Sequence, residues 1–164
     1  MNIDAIIEIP MGSRNKYEII RGSNKIKLDR VLYSSVQYPG EYGYIENTLA
    51  DDGDCLDILI LSYSPTFPGC IVNARILGYL DLKDRGLNDE KIIAVPTGDP
   101  RFEEYQTIDN VPKYIKEEIS EFFRTYKQLQ KVETIINGYH SMEEALNLIK
   151  RYQENYNLLK SSTK

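Results

Sequence analysis

Pro112-Lys113-Tyr114-Ile115-Lys116-Glu117-Glu118-Ile119-Ser120-Glu121-Phe122-Phe123-Arg124-Thr125-Tyr126-Lys127-Gln128-Leu129 is where the hydrophobic period of the chain changes. Ile115, Ile119, Phe122, Phe123, Tyr126 and Leu129 recur at spacings of three, four or one, which stacks them on one helical face and predicts an amphipathic helix after Pro112. Upstream the pattern is different. β-Branched and aromatic residues alternate with polar ones in short runs, predicting strands at residues 5–9, 16–20, 26–30, 56–61, 70–80 and 91–95, punctuated by turns such as Gly12-Ser13, Gly22-Ser23 and Pro68-Gly69. Downstream, Ser141 followed by Glu144 fits a capping box, in which the hydroxyl accepts from a free helix amide and the carboxylate reaches back; it opens a second helix running through Tyr156. Five or more strands followed by two helices describe a mainly β chain with flanking helices, an α+β arrangement built on a small closed or partly open barrel.

The 164 residues suit one domain, with no linker or repeat to divide it. Hydrophobic residues at 41% and charged residues at 27% are ordinary for a globular chain that buries its own core. No run approaches the roughly 20 apolar residues of a membrane span, and Met1 to Asp4 show no basic region leading into an apolar one, so a cytoplasmic protein is expected. Cys55 and Cys70 form no spaced framework and are read as reduced thiols. A net charge of -5 disfavours nucleic acid and anionic membranes as partners. An acidic protein still binds an anion where cations reverse the local sign, so the placement of the acids matters more than their number.

Asp51-Asp52-Gly53-Asp54-Cys55-Leu56-Asp57 gathers four carboxylates immediately before the apolar run Ile58-Leu59-Ile60-Leu61. Asp52 and Asp54 are two apart, so an extended chain projects them to one side, and Gly53 between them permits a tight backbone. Hard oxygen ligands of this kind suit magnesium, manganese or calcium rather than zinc. An EF-hand loop fails on spacing, because the sixth position from Asp52 is Asp57 instead of glycine and the twelfth is Tyr63 instead of glutamate. An acidic turn leading into a strand is the alternative reading, and the cluster alone does not choose between them.

Three further segments carry charge inside or beside apolar strands. The first is Ile7-Glu8-Ile9-Pro10 with Lys16-Tyr17-Glu18; the second is Leu28-Asp29-Arg30 with Tyr38-Pro39 and Glu41-Tyr42-Gly43-Tyr44-Ile45; the third is Asp84-Arg85-Gly86-Leu87-Asn88-Asp89-Glu90-Lys91 before Ile92-Ile93-Ala94-Val95-Pro96. Taken in order with the acidic cluster and Tyr126-Lys127, they closely resemble the soluble family I inorganic pyrophosphatases, from about residue 7 to about residue 145.

The resemblance implies a five-stranded, OB-like closed β-barrel with two C-terminal helices, and hydrolysis of inorganic diphosphate to two orthophosphates. It makes Asp52, Asp57, Asp84 and Asp89 ligands of several Mg2+ ions, with Mn2+ or other divalent ions able to substitute, and Glu8 a helper at a further metal. Asp54 becomes the base that takes a proton from the attacking water, with Tyr42 close enough to tune it. Lys16, Arg30, Lys91, Tyr126 and Lys127 match positions that hold phosphate oxygens, and Glu18 a supporting polar position. Bacterial members are commonly homohexamers, which makes a homo-oligomer, a hexamer, the expected assembly. The division of labour is physically coherent: diphosphate repels an incoming water until cations neutralise its oxygens. Arg30 offers a planar fork, and Lys16, Lys91 and Lys127 offer mobile point charges.

Two departures stand out. Cys55 occupies a position where the family usually has proline, which removes a rigid turn residue and reads as a small filler. Tyr139 stands where many relatives have an indole. His140, the only histidine, reads as structural, and one histidine cannot assemble a zinc site or a histidine-based triad. Two rival readings are a non-catalytic barrel binding metal or phosphorylated ligands and an OB-type nucleic-acid binder. The filled catalytic positions argue against the first and the net negative charge against the second.

Overall fold

The computed structural model, which describes residues 1–163, closes five strands into a barrel. Among the described residues the strands are β1 (Asn2–Ile9), β2 (Asn15–Ile19), β3 (Ile26–Val31), β4 (Glu41–Ile45), β5 (Leu56–Ile60), β6 (Ile71–Asp84), β7 (Leu87–Asn88), β8 (Lys91–Pro96) and β9 (Thr134–His140), with helices α1 (Lys113–Thr125) and α2 (Met142–Ser162). Around the barrel the order is β1-β4-β5-β8-β6, and β6 pairs back onto β1. Every contact in this ring is antiparallel except β5 with β8, which run parallel with Asp57 opposite Lys91.

At 14 residues, β6 is long enough to serve several neighbours. Its first residues pair with β1, its middle with β8, and Tyr79 to Asp84 with β9, which takes over the flank that β1 has left. β2 and β3 form a separate two-stranded hairpin. The barrel and two C-terminal helices are those expected from the sequence.

Alternation along the strands sorts their apolar side chains into two clusters. Ile58 and Ile60 of β5, with Ile92 and Ala94 of β8, join Ala145, Leu148, Ile149 and Tyr152 of α2. Leu59 and Leu61, with Ile93 and Val95, join Ile119, Phe122 and Phe123 of α1. The period of two in the strands thus meets the 3.6 period of a different helix on each face. Strand β1 changes face through a bulge: Ile7 pairs with Gly43 and Ile9 with Tyr42, so Glu8 is the extra residue, and Ile7 and Ile9 enter different clusters. At the same crossing a Cβ on Gly43 would lie 1.9 Å from the carbonyl oxygen of Ile6, so only glycine lets β4 approach β1.

Three expectations need correction. Strands β4 and β9 were not anticipated: β4 carries Glu41 and Gly43 in place of an apolar alternation, and β9 is half-exposed and contains Asn137 and Gly138. The first helix stops at Thr125. Gln128–Gln130 is a turn of 3-10 helix ended by Lys131 in the left-handed region, so Leu129 leaves the apolar stripe and is exposed. The second helix begins at the expected box, with Ser141 accepting from the Glu144 amide and Glu144 from the Ser141 amide, and continues to Ser162. Among the described residues no helix is long and apolar enough to cross a membrane.

Candidate active site

The parallel register of β5 and β8 brings opposite charges side by side. Lys91, 1% exposed, directs its Nζ to Asp57 Oδ2 and to Asp89 Oδ1, each at 2.6 Å. The rings of Tyr42 and Phe123 lie beside the ammonium, 5.6 and 5.7 Å from it. Burial draws the lysine's pKa down, but the two carboxylates outweigh it and hold the group charged, well above its ordinary value. Tyr42, expected beside Asp54, instead donates to Asp57 Oδ2 at 2.6 Å. Its hydroxyl comes from β4, the immediate neighbour of β5, so it meets the strand carboxylate and not the turn before it.

A second pair repeats the arrangement. Lys127, just past the end of α1, donates to Asp84 Oδ2 at the far end of β6. The ring of Tyr126 lies 5.1 Å from the same ammonium. Tyr126 is itself buried, which pushes its phenol pKa up, so it stays protonated and able to donate.

The acidic turn is built from its own backbone. The Ala50 amide donates to the Asp54 carbonyl at 2.8 Å, the Gly53 amide to the Ala50 carbonyl at 3.0 Å, and Gly53 takes φ +91°. Asp52 Oδ1 accepts from the Asp54 amide at 3.0 Å. Burial, then the charges of Asp57, Asp89 and Asp54, hold the Asp52 carboxyl above the usual range, so these acids share one electrostatic neighbourhood. Asp54 is the outlier, with a side chain 81% exposed and Arg21 Nη2 at 3.7 Å. Cys55, next to it, is half-buried and receives a contact from Arg21 Nη2 at 3.4 Å.

From the hairpin, Lys16 reaches Asp29 at 3.3 Å and Glu18 at 3.7 Å, and Arg30 Nη1 lies 3.6 Å from Asp29. Arg30 Nε is buried with no protein partner. Glu8, at the bulge, accepts from the Ile19 amide at 2.9 Å and so ties the hairpin to the barrel. Burial pushes its pKa up to about 7, and the charge of Asp57 adds to the rise.

Three residues outside the expected set belong to this surface. Asp29 orients two cations and was visible beside Arg30 in the sequence, whereas Phe123 was visible only as part of the helical stripe. Arg21 follows β2 with no periodic or motif signal to single it out.

Among the described residues, no group of three acidic, histidine or cysteine side chains is drawn together closely enough to hold a metal ion. Lysines occupy three of the four expected ligands instead, Lys91 on Asp57 and Asp89, Lys127 on Asp84. The donor set nonetheless suits a hard divalent cation, being all carboxylate.

The inorganic pyrophosphatase family model matches residues 5–157. The chain belongs to the inorganic pyrophosphatase family. It is 52% identical to the inorganic pyrophosphatase of Halalkalibacterium halodurans over 147 residues, 90% of either chain, and 49% identical to that of Geobacillus stearothermophilus over 155 residues, 94% of either. The crystal structure of the Thermus thermophilus inorganic pyrophosphatase superposes with a TM-score of 0.91 at 40% identity, covering 95% of this chain and 91% of that one. The family is metal-dependent.

Proposed function

We propose that this chain hydrolyses inorganic diphosphate to two orthophosphates, with Asp54 as general base, and so removes a by-product of biosynthetic reactions. The observation that carries this reading is the pairing of Lys91 with Asp57 and Asp89, because it offers the two kinds of charge the reaction needs on one buried surface. Asp52, Asp57, Asp84 and Asp89, with Glu8, would hold the divalent ions. Magnesium, with manganese able to substitute, would neutralise the diphosphate oxygens and acidify the attacking water.

The side chains then exchange partners. Once the carboxylates are engaged, Lys91 and Lys127 lose their counter-charges and are free to grip phosphate oxygens, as a mobile ammonium can. Arg30, held beside Asp29 and with its side chain 30% exposed, offers its planar fork to the same anion. Lys16 and the buried hydroxyl of Tyr126 complete the cradle, and Glu18, beside Lys16, supports it. Tyr42 fixes the carboxylate of Asp57. Asp54, whose side chain is 81% exposed, accepts the proton as the water oxygen bonds to phosphorus and the bridging P–O bond breaks. Orthophosphate departs with that electron pair.

The protein acts in the cytoplasm, without nucleic acid or membrane, as a homo-oligomer, a homohexamer. Phosphate release from diphosphate is measured with and without Mg2+ on the wild type and on Asp54→Asn. Metal-dependent release by the wild type is expected, together with severely reduced turnover and near-normal metal binding in the variant. A folded wild type that releases no phosphate would refute the enzyme, and a near-wild-type Asp54→Asn rate would refute the base.

A further inference from the structure

The acidic turn and the segment Asp84–Lys91 come from different parts of the chain, and α2 contacts both from behind. Tyr152, fully buried on α2, donates through its hydroxyl to Glu90 Oε2 at 2.9 Å and accepts through its carbonyl from the Leu49 amide at 2.9 Å. One residue therefore grips both segments. Its neighbour Arg151 donates to the Tyr152 hydroxyl at 2.7 Å and lies 3.7 Å from Asp51 and 3.8 Å from Glu90, again one on each side. Asn155 Nδ2 reaches the Leu49 carbonyl at 3.4 Å, and Asn88 Nδ2 crosses between the segments to Asp51 Oδ2 at 3.1 Å.

The contacted residues sit next to the expected metal ligands in the chain: Asp51 precedes Asp52, and Glu90 lies between Asp89 and Lys91. We propose that Tyr152 and Arg151 are positioning residues, a brace that sets the separation of the two carboxylate-bearing segments before any metal arrives. The proposal rests on the metal-dependent reading above. Neither side chain touches the reacting groups, and both act through segments that do. Holding the segments in advance removes an ordering cost that each metal ion would otherwise have to meet, which is how groups behind a metal's own ligands raise its affinity.

The test uses the purified full chain and Mn2+ as probe, with dissociation constants read by calorimetry or by the electron paramagnetic resonance of free Mn2+. Tyr152→Phe keeps the ring and deletes the bond to Glu90; Arg151→Gln deletes the charge facing Asp51. Each is expected to weaken Mn2+ about tenfold, the low end for groups behind a metal's ligands. The Mg2+ concentration giving half-maximal diphosphate hydrolysis should rise in parallel, while the rate at saturating Mg2+ stays within about twofold. Ser141→Ala loosens α2 through its cap without touching either segment and serves as the control, losing melting temperature but not affinity. Variants that melt lower yet bind Mn2+ as tightly as the wild type would overturn the brace and leave the enzyme reading standing. A wild type that neither binds Mn2+ nor releases phosphate would overturn both.

Discussion

Lys91→Met removes one ammonium and leaves most of the apolar stem, so its consequences isolate the charge. Lys91 is 1% exposed, and the side chains of its partners Asp57 and Asp89 are only 27% and 12% exposed. Breaking a buried ion pair by removing one partner costs about 3–5 kcal/mol, since the orphaned charge stays desolvated. The partial exposure of Asp57 points to the lower end, about 3 kcal/mol, which for a chain of this size lowers the melting temperature by about 6–12 °C. That figure applies without divalent metal. The vacated carboxylates should then attract a cation more strongly than those of the wild type, which must first shed the lysine. Thermal melts in EDTA and in excess Mg2+ should therefore show the deficit shrinking to less than about half when Mg2+ is present, by linkage. Phosphate release should still fall, because one grip on the substrate is gone. A deficit under about 2 °C in EDTA, or one that Mg2+ leaves unchanged, would refute the assignment of Lys91 as the group that holds these carboxylates before metal arrives.

The capping box supplies a pH prediction. The hydrogen bond from His140, then the amide and hydroxyl of Ser141, hold the Glu144 carboxyl down from 4.5 to about 2. A depressed carboxyl contributes stability that is present above its unfolded value and is lost as pH falls through its folded one. The deficit of Glu144→Gln should therefore be full above 4.5 and close progressively toward about 2. Urea titrations at several pH values check this, and a deficit constant across that window contradicts it. Gly43→Ala should abolish folding or destabilise by more than about 4 kcal/mol, because the new methyl meets a backbone carbonyl that cannot yield. Gly53→Ala, where nothing lies within 4 Å and only the positive φ is strained, should cost only about 1 kcal/mol. Circular dichroism and soluble yield separate the two, and a Gly43→Ala protein as stable as Gly53→Ala would remove the close approach of β1 and β4 as the reason for the glycine.

Most of the barrel was legible because six of its strands and hairpin partners, residues 5–9, 16–20, 26–30, 56–61, 70–80 and 91–95, obey a local rule of alternation or continuous apolarity. Strand β4 was not, since the approach to β1 demands Gly43 and the fold gives Glu41 an unusual task. Buried at 1% exposure, Glu41 accepts from the amides of Met11 at 2.9 Å and Thr66 at 3.1 Å, pinning two loops. A buried carboxylate serving backbone amides carries the sequence signature of a surface residue. The charged site was legible as a set of residues in family order but not as a set of contacts. That Tyr42 meets Asp57 depends on the register of β4 against β5, and that Lys91 bridges two acids depends on the parallel pairing of β5 and β8, both long-range facts. The links from Tyr152 and Arg151 to the acidic segments span 61 residues or more and leave no local trace.

The single parallel contact in the barrel also carries the one charged pair that marks its register. Strands β5 and β8 offer one another near-uniform aliphatic runs, Ile58-Leu59-Ile60 and Ile92-Ile93-Ala94, with little to distinguish one alignment from the next. A slip of one residue would turn every side chain of β8 to the opposite face and carry the Lys91 ammonium among Ile58, Ile60 and Ile76, where nothing could neutralise it. Only the native alignment sets Lys91 against Asp57. The charges proposed to handle diphosphate thus also favour a single register for these two strands, so that their loss weakens the alignment as well as the site.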